Sequence, residues 1–128
     1  MSRDNINVQY PVVDDTQSVA SAEIEKTTVD PSKGVSIANA FANKNNTLVV
    51  CVENADDADS SLTFVAGDNY PNAMLGNLQQ EVPAETVVAF QIQDPSRFEN
   101  KDGSLNINFA EGFDGSIFAV AKSASLNV

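Results

Sequence analysis

The sequence predicts an all-β fold: a single small antiparallel β-sandwich or barrel with an extended N-terminal arm. Apolar residues recur at every second position, and the apolar runs are short and bounded by Gly, Pro, Asn and Asp. The chain has 128 residues, about enough for one hydrophobic core. We expect an arm or edge strands over residues 1–33, a β-sandwich or barrel domain over 34–122 and a C-terminal tail over 123–128.

The N-terminal region is rich in Ser, Thr, Asp and Val and alternates weakly at Ile6, Val8, Tyr10 and Val12. Two interpretations remain open. The segment forms ordinary edge strands or a disordered tail, or it is an arm that lies on a neighbouring molecule. In the second case these four side chains are candidate contacts with a partner or with another copy of the chain.

Residues 47–68, TLVVCVENADDADSSLTFVAGD, contain two apolar runs joined by an acidic spacer of small residues. Because side chains of a strand alternate between its two faces, the runs indicate a hairpin-like pair with the spacer as its turn. The core face is expected on the even-numbered positions Leu48, Val50, Val52, Leu62 and Phe64.

Further strands are predicted after residue 86, separated by the segments DPSRF, NKDGS and EGFDGS; VPAET precedes the first of them. Each segment contains a Pro or Gly, as expected where the chain reverses or takes a positive φ. Phe98 in DPSRF is expected to enter the core. The other predicted core positions are Val88, Phe90, Ile92, Leu105, Ile107, Phe109 and the run 117–121.

The segment GDNYPNAMLGNLQQ, residues 67–80, is predicted to be a long connection. Its side chains Tyr70, Pro71, Met74 and Leu75 are unusually apolar for a solvated loop, and such loops often mark contacts with other molecules. In the alternative interpretation, Met74 and Leu75 cover one end of the core.

The charge and composition narrow the classes of function. With 18 acidic and 7 basic residues the net charge is −11, so nucleic acid and anionic membranes are not expected partners. There is no His and one Cys, which removes the commonest general base, the commonest zinc ligand and an intrachain disulfide. No nucleotide-binding, hydrolase or zinc-site motif occurs. We therefore expect no enzyme, no catalytic or metal site and no cofactor.

A calcium site in the acidic spacer is a weak alternative. Asp57, Asp59 and Ser61 fall at positions 1, 3 and 5 of an EF-hand count and Asp68 at position 12, but Leu62 occupies the position that needs Gly. Carboxylate pairs of the glycosidase type are a still weaker alternative, since isolated carboxylates are abundant in so acidic a chain.

Two further side chains have ordinary structural interpretations. Cys51, inside the apolar run LVVCV, is expected to be a small buried hydrophobe. Arg97 lies between Asp94 and Glu99 and is expected to form a local ion pair that holds a turn. A contact between Arg97 and a partner protein is the alternative.

The N-terminal stretch MSRDNINVQYPVVDD lacks the apolar core of a secretory signal, and no run reaches the roughly 18 apolar residues that cross a bilayer. We therefore expect synthesis in a cytosol.

The order and spacing of these segments over residues 33–122 resemble the small head decoration, or auxiliary capsid, proteins of tailed bacteriophages. The sequence departs from that pattern at Glu85, where the turn often has Gly, and in its longer N-terminal region. The matching features are an apolar strand at 48–54, an AGD-like end at 63–68, a turn at 82–85, an SxRF-like element at 96–98 and a final strand pair at 109–120.

The resemblance implies a structural protein, made in the host bacterial cytoplasm, that decorates and stabilises the outer surface of a bacteriophage capsid by binding the major capsid protein. It also implies a homo-oligomer, with a trimer as the expected state. The alternative is a receptor- or glycan-binding module of a phage head fibre or tail, which the low aromatic content disfavours. The candidate capsid or self-contact residues are Ile6, Val8, Tyr10, Val12, Tyr70, Pro71, Met74, Leu75 and Arg97.

Overall fold

The computed structural model describes residues 2–13, 18–41, 48–68 and 75–122. These residues form a nearly all-β structure, so the predicted small all-β fold is confirmed. The elements are β1 (Asp4–Gln9), β2 (Val12–Val13), β3 (Ala20–Ser21), β4 (Thr27–Thr28), β5 (Val35–Ala38), β6 (Val49–Asn54), β7 (Ser60–Phe64), β8 (Leu78–Val82), β9 (Val87–Gln91), α1 (Pro95–Phe98), β10 (Leu105–Phe109) and β11 (Gly115–Val120).

Eight of the strands form one continuous, nearly closed sheet in the order β8, β7, β10, β5, β1, β11, β6, β9. Strand β4 pairs with β11 beside this path, and β2 and β3 form a separate two-stranded ribbon. The two strands at the ends of the order, β8 and β9, follow one another in the chain. A turn therefore connects the two ends of the sheet, and no ladder of hydrogen bonds joins β8 to β9.

Strand β1 joins the two halves of this barrel. Its residues 4–7 pair in parallel with β5, and Val8 and Gln9 pair in parallel with β11. Ile6 is 7% exposed and Val8 9%, so both belong to the core. The expectation of an N-terminal arm is therefore wrong for residues 4–9, and Ile6 and Val8 are not available as surface contacts of the folded chain. Their weak alternation reflects a real strand with one buried face.

The predicted hairpin between residues 48–54 and 62–65 is not formed. Strand β6 pairs with β11 and β9, whereas β7 pairs with β10 and β8. The acidic spacer at 55–59 crosses from one half of the barrel to the other. The period of two correctly predicted which side chains of β6 and β7 face the core. It did not predict which strands pair with them, because the pairing partners lie far apart in sequence.

The predicted core face is confirmed in most strands. Phe98 is 4% exposed and is also in the core, as expected. Residues 78–80, which were predicted to end a long loop, instead begin β8, and the expected tail 123–128 lies outside the described residues. The other confirmed core positions are Leu48, Val50, Val52, Leu62, Phe64, Ile92, Leu105, Ile107, Phe109, Ile117, Ala119 and Ala121.

Two of the predicted turns contain a glycine in the left-handed region, Gly103 with φ 86° and Gly112 with φ 82°. The turn between β8 and β9 also requires this region, but there the residue is Glu85, with φ 57°. A left-handed backbone brings the Cβ of an L-residue close to the following carbonyl oxygen, which costs about 1–2 kcal/mol. Glu85 therefore places local strain in the turn that joins the two ends of the sheet.

Replacing Glu85 by Gly should relieve this strain. Glycine loses more backbone entropy on folding than glutamate, which offsets part of the relieved strain. We therefore expect a net gain in the free energy of unfolding of up to about 1 kcal/mol. Urea denaturation followed by circular dichroism measures the change. Glu85→Ala, which removes the carboxylate but keeps Cβ, is the matched control and should show no comparable gain; equal gains in the two variants would assign the effect to charge.

Candidate functional site

A groove opens between the two edge strands β8 and β9. Each pairs with a neighbour on one side, and among the described residues no strand pairs with its other side. The groove has a volume of about 400 Å³, within the range of ligand pockets. We call it the seam groove and define it by Phe64, Leu78, Gln80, Phe90, Arg97 and Phe98.

Aromatic rings form the floor of the seam groove. The rings of Phe64 and Phe90 meet edge to face with centroids 5.4 Å apart, and the rings of Phe64 and Phe98 lie 5.8 Å apart. Phe64 comes from β7 in one half of the barrel and Phe90 from β9 in the other. Aromatic pairs in this geometry are favourable beyond the area they bury, so the floor holds the two halves together where the backbone ladder is missing.

The core is incomplete along the seam groove. Leu78 on β8 and Val88 and Phe90 on β9 face inward and pack against the core, yet all three are only partly buried. The inward positions Val50 and Val52 of the fully paired strand β6 are 0% exposed. Leu78, Val88 and Phe90 are only partly covered because, among the described residues, no strand lies between these two edge strands to complete the barrel.

Arg97 holds the rim of the seam groove. Its Nη2 donates to the carbonyl oxygens of Leu75 at 3.2 Å and Asn77 at 3.3 Å, and its Nε donates to that of Gly76 at 3.2 Å. The guanidinium also lies 5.2 Å from the centroid of the Phe98 ring. These bonds join α1 to residues 75–77 and differ from the local ion pair that we expected.

The predicted contact residues separate into groups. Arg97 and Leu75, which is 59% exposed, are brought together at the rim of the seam groove. Tyr10 is partly buried against the core, and Val12 is 71% exposed on the β2–β3 ribbon. The remaining candidates from the 67–80 segment, Tyr70, Pro71 and Met74, lie outside the described residues.

At its other end the seam is closed by the side chain of Asn54, which is fully buried. Its Nδ2 donates to the carbonyl oxygens of Ala58 at 2.9 Å and Val82 at 3.0 Å, while its Oδ1 accepts from the backbone N–H of Asp56 at 3.0 Å. The backbone N–H of Asn54 donates to the Thr86 carbonyl at 2.9 Å. One residue thus joins β6, the end of β8 and the turn before β9.

The role of Asn54 was not predicted from the sequence, although the alternation of β6 contains a signal for it. Asn54 continues the inward-facing series of Leu48, Val50 and Val52, so the alternation placed an amide in the core. A buried amide needs hydrogen-bond partners, and the alternation does not reveal where they are.

Carboxylates surround this closed end. Asp56, Asp57 and Asp59 lie in the spacer, Glu81 on β8 and Glu85 in the turn. The Asp59 carboxylate accepts from the Ala84 N–H at 2.8 Å, and the Glu85 N–H donates to the Asp56 carbonyl at 3.1 Å. These contacts bring the spacer and the turn together, so negative charge accumulates at one end of the seam.

The EF-hand-like spacing of acidic residues that begins in the spacer does not form a calcium site. Asp68 accepts a hydrogen bond from the Lys101 N–H at 2.7 Å, and β7 separates it from Asp57 and Asp59. Among the residues that the structure describes, no group of three or more His, Cys, Asp or Glu side chains is arranged to hold a metal ion.

Cys51 is only partly buried, on the outer face of β6, and not in the core as expected. Its even-numbered neighbours in the strand point inward, so its own side chain points outward. Desolvation still raises the pKa of the Cys51 thiol, which favours the neutral thiol at physiological pH.

Within the described ranges, no helix is long and apolar enough to span a membrane. Comparisons of the chain with protein-family models, with curated proteins and with solved structures find no match.

Replacing Asn54 by Ala should strongly destabilise the protein. The change leaves the buried Val82 carbonyl and the partly buried Ala58 carbonyl and Asp56 N–H without their partner, and a buried group of this kind costs about 1–3 kcal/mol. We expect a loss of about 3 kcal/mol or more in the free energy of unfolding, measured by urea denaturation. Asn100→Ala is the matched control, since Asn100 also bonds through both side-chain atoms but is partly exposed; equal losses in the two variants would contradict a special role for Asn54.

Proposed function

We propose that this chain is a structural, non-enzymatic protein of a bacteriophage virion, which decorates the outer surface of the capsid and stabilises it by binding the major capsid protein. The resemblance in segment order to head decoration proteins supports the proposal. The structural observation that favours a binding role is the seam groove, an apolar groove of about 400 Å³ between two strands that each have one strand neighbour among the described residues. Unpaired edges and incompletely covered apolar side chains are typical of surfaces that meet another protein.

In this proposal the chain stabilises the capsid by adding interface area. A specific protein interface typically buries on the order of 1,000 Å² or more in total. When one decorating unit binds several capsid subunits, their separation must break all of these interfaces together. A small barrel with one buried core suits such a role, because a folded unit transmits load between the subunits that it joins.

The charge of the chain is compatible with an outer-surface location. At a net charge of −11 the protein is repelled by packaged nucleic acid and attracted by basic patches on a capsid. Such attraction is screened at high ionic strength. Binding to capsids should therefore weaken as salt is added.

A homotrimer remains part of the proposal. The β2–β3 ribbon and the segment after it expose apolar side chains, with Val12 71%, Val19 61% and Ile24 40% exposed. Several large apolar side chains exposed in one part of the chain favour association. These three residues, together with Tyr10, are our candidates for contacts between copies.

Co-sedimentation with capsids tests the proposed function. Purified protein is mixed with decoration-free capsids of the encoding virus, in expanded and unexpanded forms, at low and high salt. We expect stoichiometric binding to expanded capsids, weaker at high salt. Absence of binding to both forms would overturn the proposal, and saturable binding to host-surface glycans would then favour the receptor-binding alternative.

A further inference from the structure

We propose that the seam groove binds an extended segment of a partner protein as an added strand between β8 and β9, and that this segment has apolar residues at one end and basic residues at the other. The inference deepens the proposed function, on which it rests only for naming the partner as the capsid protein. Three features of the seam support this mode of docking: the strand edges, the apolar floor and the distribution of charge.

The strand edges are suited to pairing with a further strand. The two edge strands, β8 with the sequence LQQEV and β9 with VVAFQ, contain no Pro and no Lys, the residues that commonly protect an exposed edge. Each is five residues long, and the added segment would pair with their open halves, residues 78–80 and 89–91, while its other end passes over the turn at 83–86. Since β8 and β9 run in opposite directions, the segment is antiparallel to one and parallel to the other in either orientation.

The groove floor selects apolar side chains. Leu78 and Phe90 are partly buried in the free chain, and the rings of Phe64 and Phe98 lie behind them. Alternate side chains of an added strand point inward and would cover these half-buried surfaces. Those inward positions are therefore expected to be apolar at the end of the segment near Phe90.

The other end of the seam selects basic side chains. Asp57, Asp59, Glu81 and Glu85 are all exposed there. Two ion pairs among the described residues, Lys26 with Glu53 and Lys33 with Asp4, do not involve them. A partner segment with Lys or Arg at this end would meet complementary charge.

A peptide-binding experiment tests this mode of recognition. The probes are a fluorescein-labelled nine-residue peptide with Lys at alternate positions of its first half and Val or Leu at alternate positions of its second half, its reversed sequence, and a version with Glu in place of Lys. Fluorescence anisotropy measures Kd for each. We expect saturable binding of one of the two basic peptides, weakened at least tenfold by the Glu replacement.

Two charge-reversed variants locate the binding. The double variant Glu81→Lys/Glu85→Lys should weaken binding of the basic peptide about tenfold or more. The double variant Glu23→Lys/Glu25→Lys changes the net charge equally at exposed positions outside the seam and should retain most of the affinity. Equal losses in the two variants would reduce the effect to net charge and overturn the inference.

Hydrogen exchange distinguishes strand addition from surface adsorption. Peptide binding should slow amide exchange in residues 78–80 and 89–91, the parts of β8 and β9 that line the open groove. Protection confined to other segments, or no protection at saturating peptide, would contradict an added strand.

A variant with a filled groove separates this inference from the proposed function. Gln80 faces into the groove from β8, so Gln80→Trp should fill it and abolish peptide and capsid binding, with folding checked by circular dichroism. Capsid binding that survives in this variant and in Glu81→Lys/Glu85→Lys would leave the decoration function intact and overturn docking at the seam. Peptide binding at the seam without any capsid binding would support docking at the seam and overturn the proposed decoration function.

Discussion

The closure of the barrel depends on the buried side-chain amide of Asn54. Strands β8 and β9 share no ladder of hydrogen bonds, so the two ends of the sheet need another connection. Asn54 provides it by bonding the buried Val82 carbonyl together with the partly buried Ala58 carbonyl and Asp56 N–H. Because a buried polar group without a partner is costly, each of these bonds favours the same arrangement of spacer, strand and turn.

The bonds of Asn54 close one end of the seam between β8 and β9, and the groove opens at the other end. Strand β1 joins the two halves on the opposite side by pairing first with β5 and then with β11. The halves are therefore connected at β1, at Asn54 and through the contact between Phe64 and Phe90. The apolar groove lies beyond the reach of the Asn54 amide, and Arg97 keeps its rim in place through backbone carbonyls.

The two ends of the seam thus differ in chemistry for a structural reason. The spacer must leave one half of the barrel and enter the other, and its small acidic residues remain at the surface where it crosses. At the opposite end the same strands expose inward-facing apolar side chains because no neighbour covers them. A partner that fits the whole seam needs both an apolar and a basic part, which is a more specific requirement than an acidic surface or an apolar patch alone would impose.

The sequence by itself determined which side chains face the core, because the period of two in a strand is local: Val50, Leu62 and Ile107 needed no knowledge of their neighbours. It also determined the turns at Gly103 and Gly112, since the left-handed backbone there is a property of single residues. Tertiary structure alone decided the pairing of β6, the central position of β1 and the seam groove. Phe64 and Phe90 both lie on an alternating apolar face in the sequence, and only the number of strands beside each leaves Phe64 buried and Phe90 partly exposed.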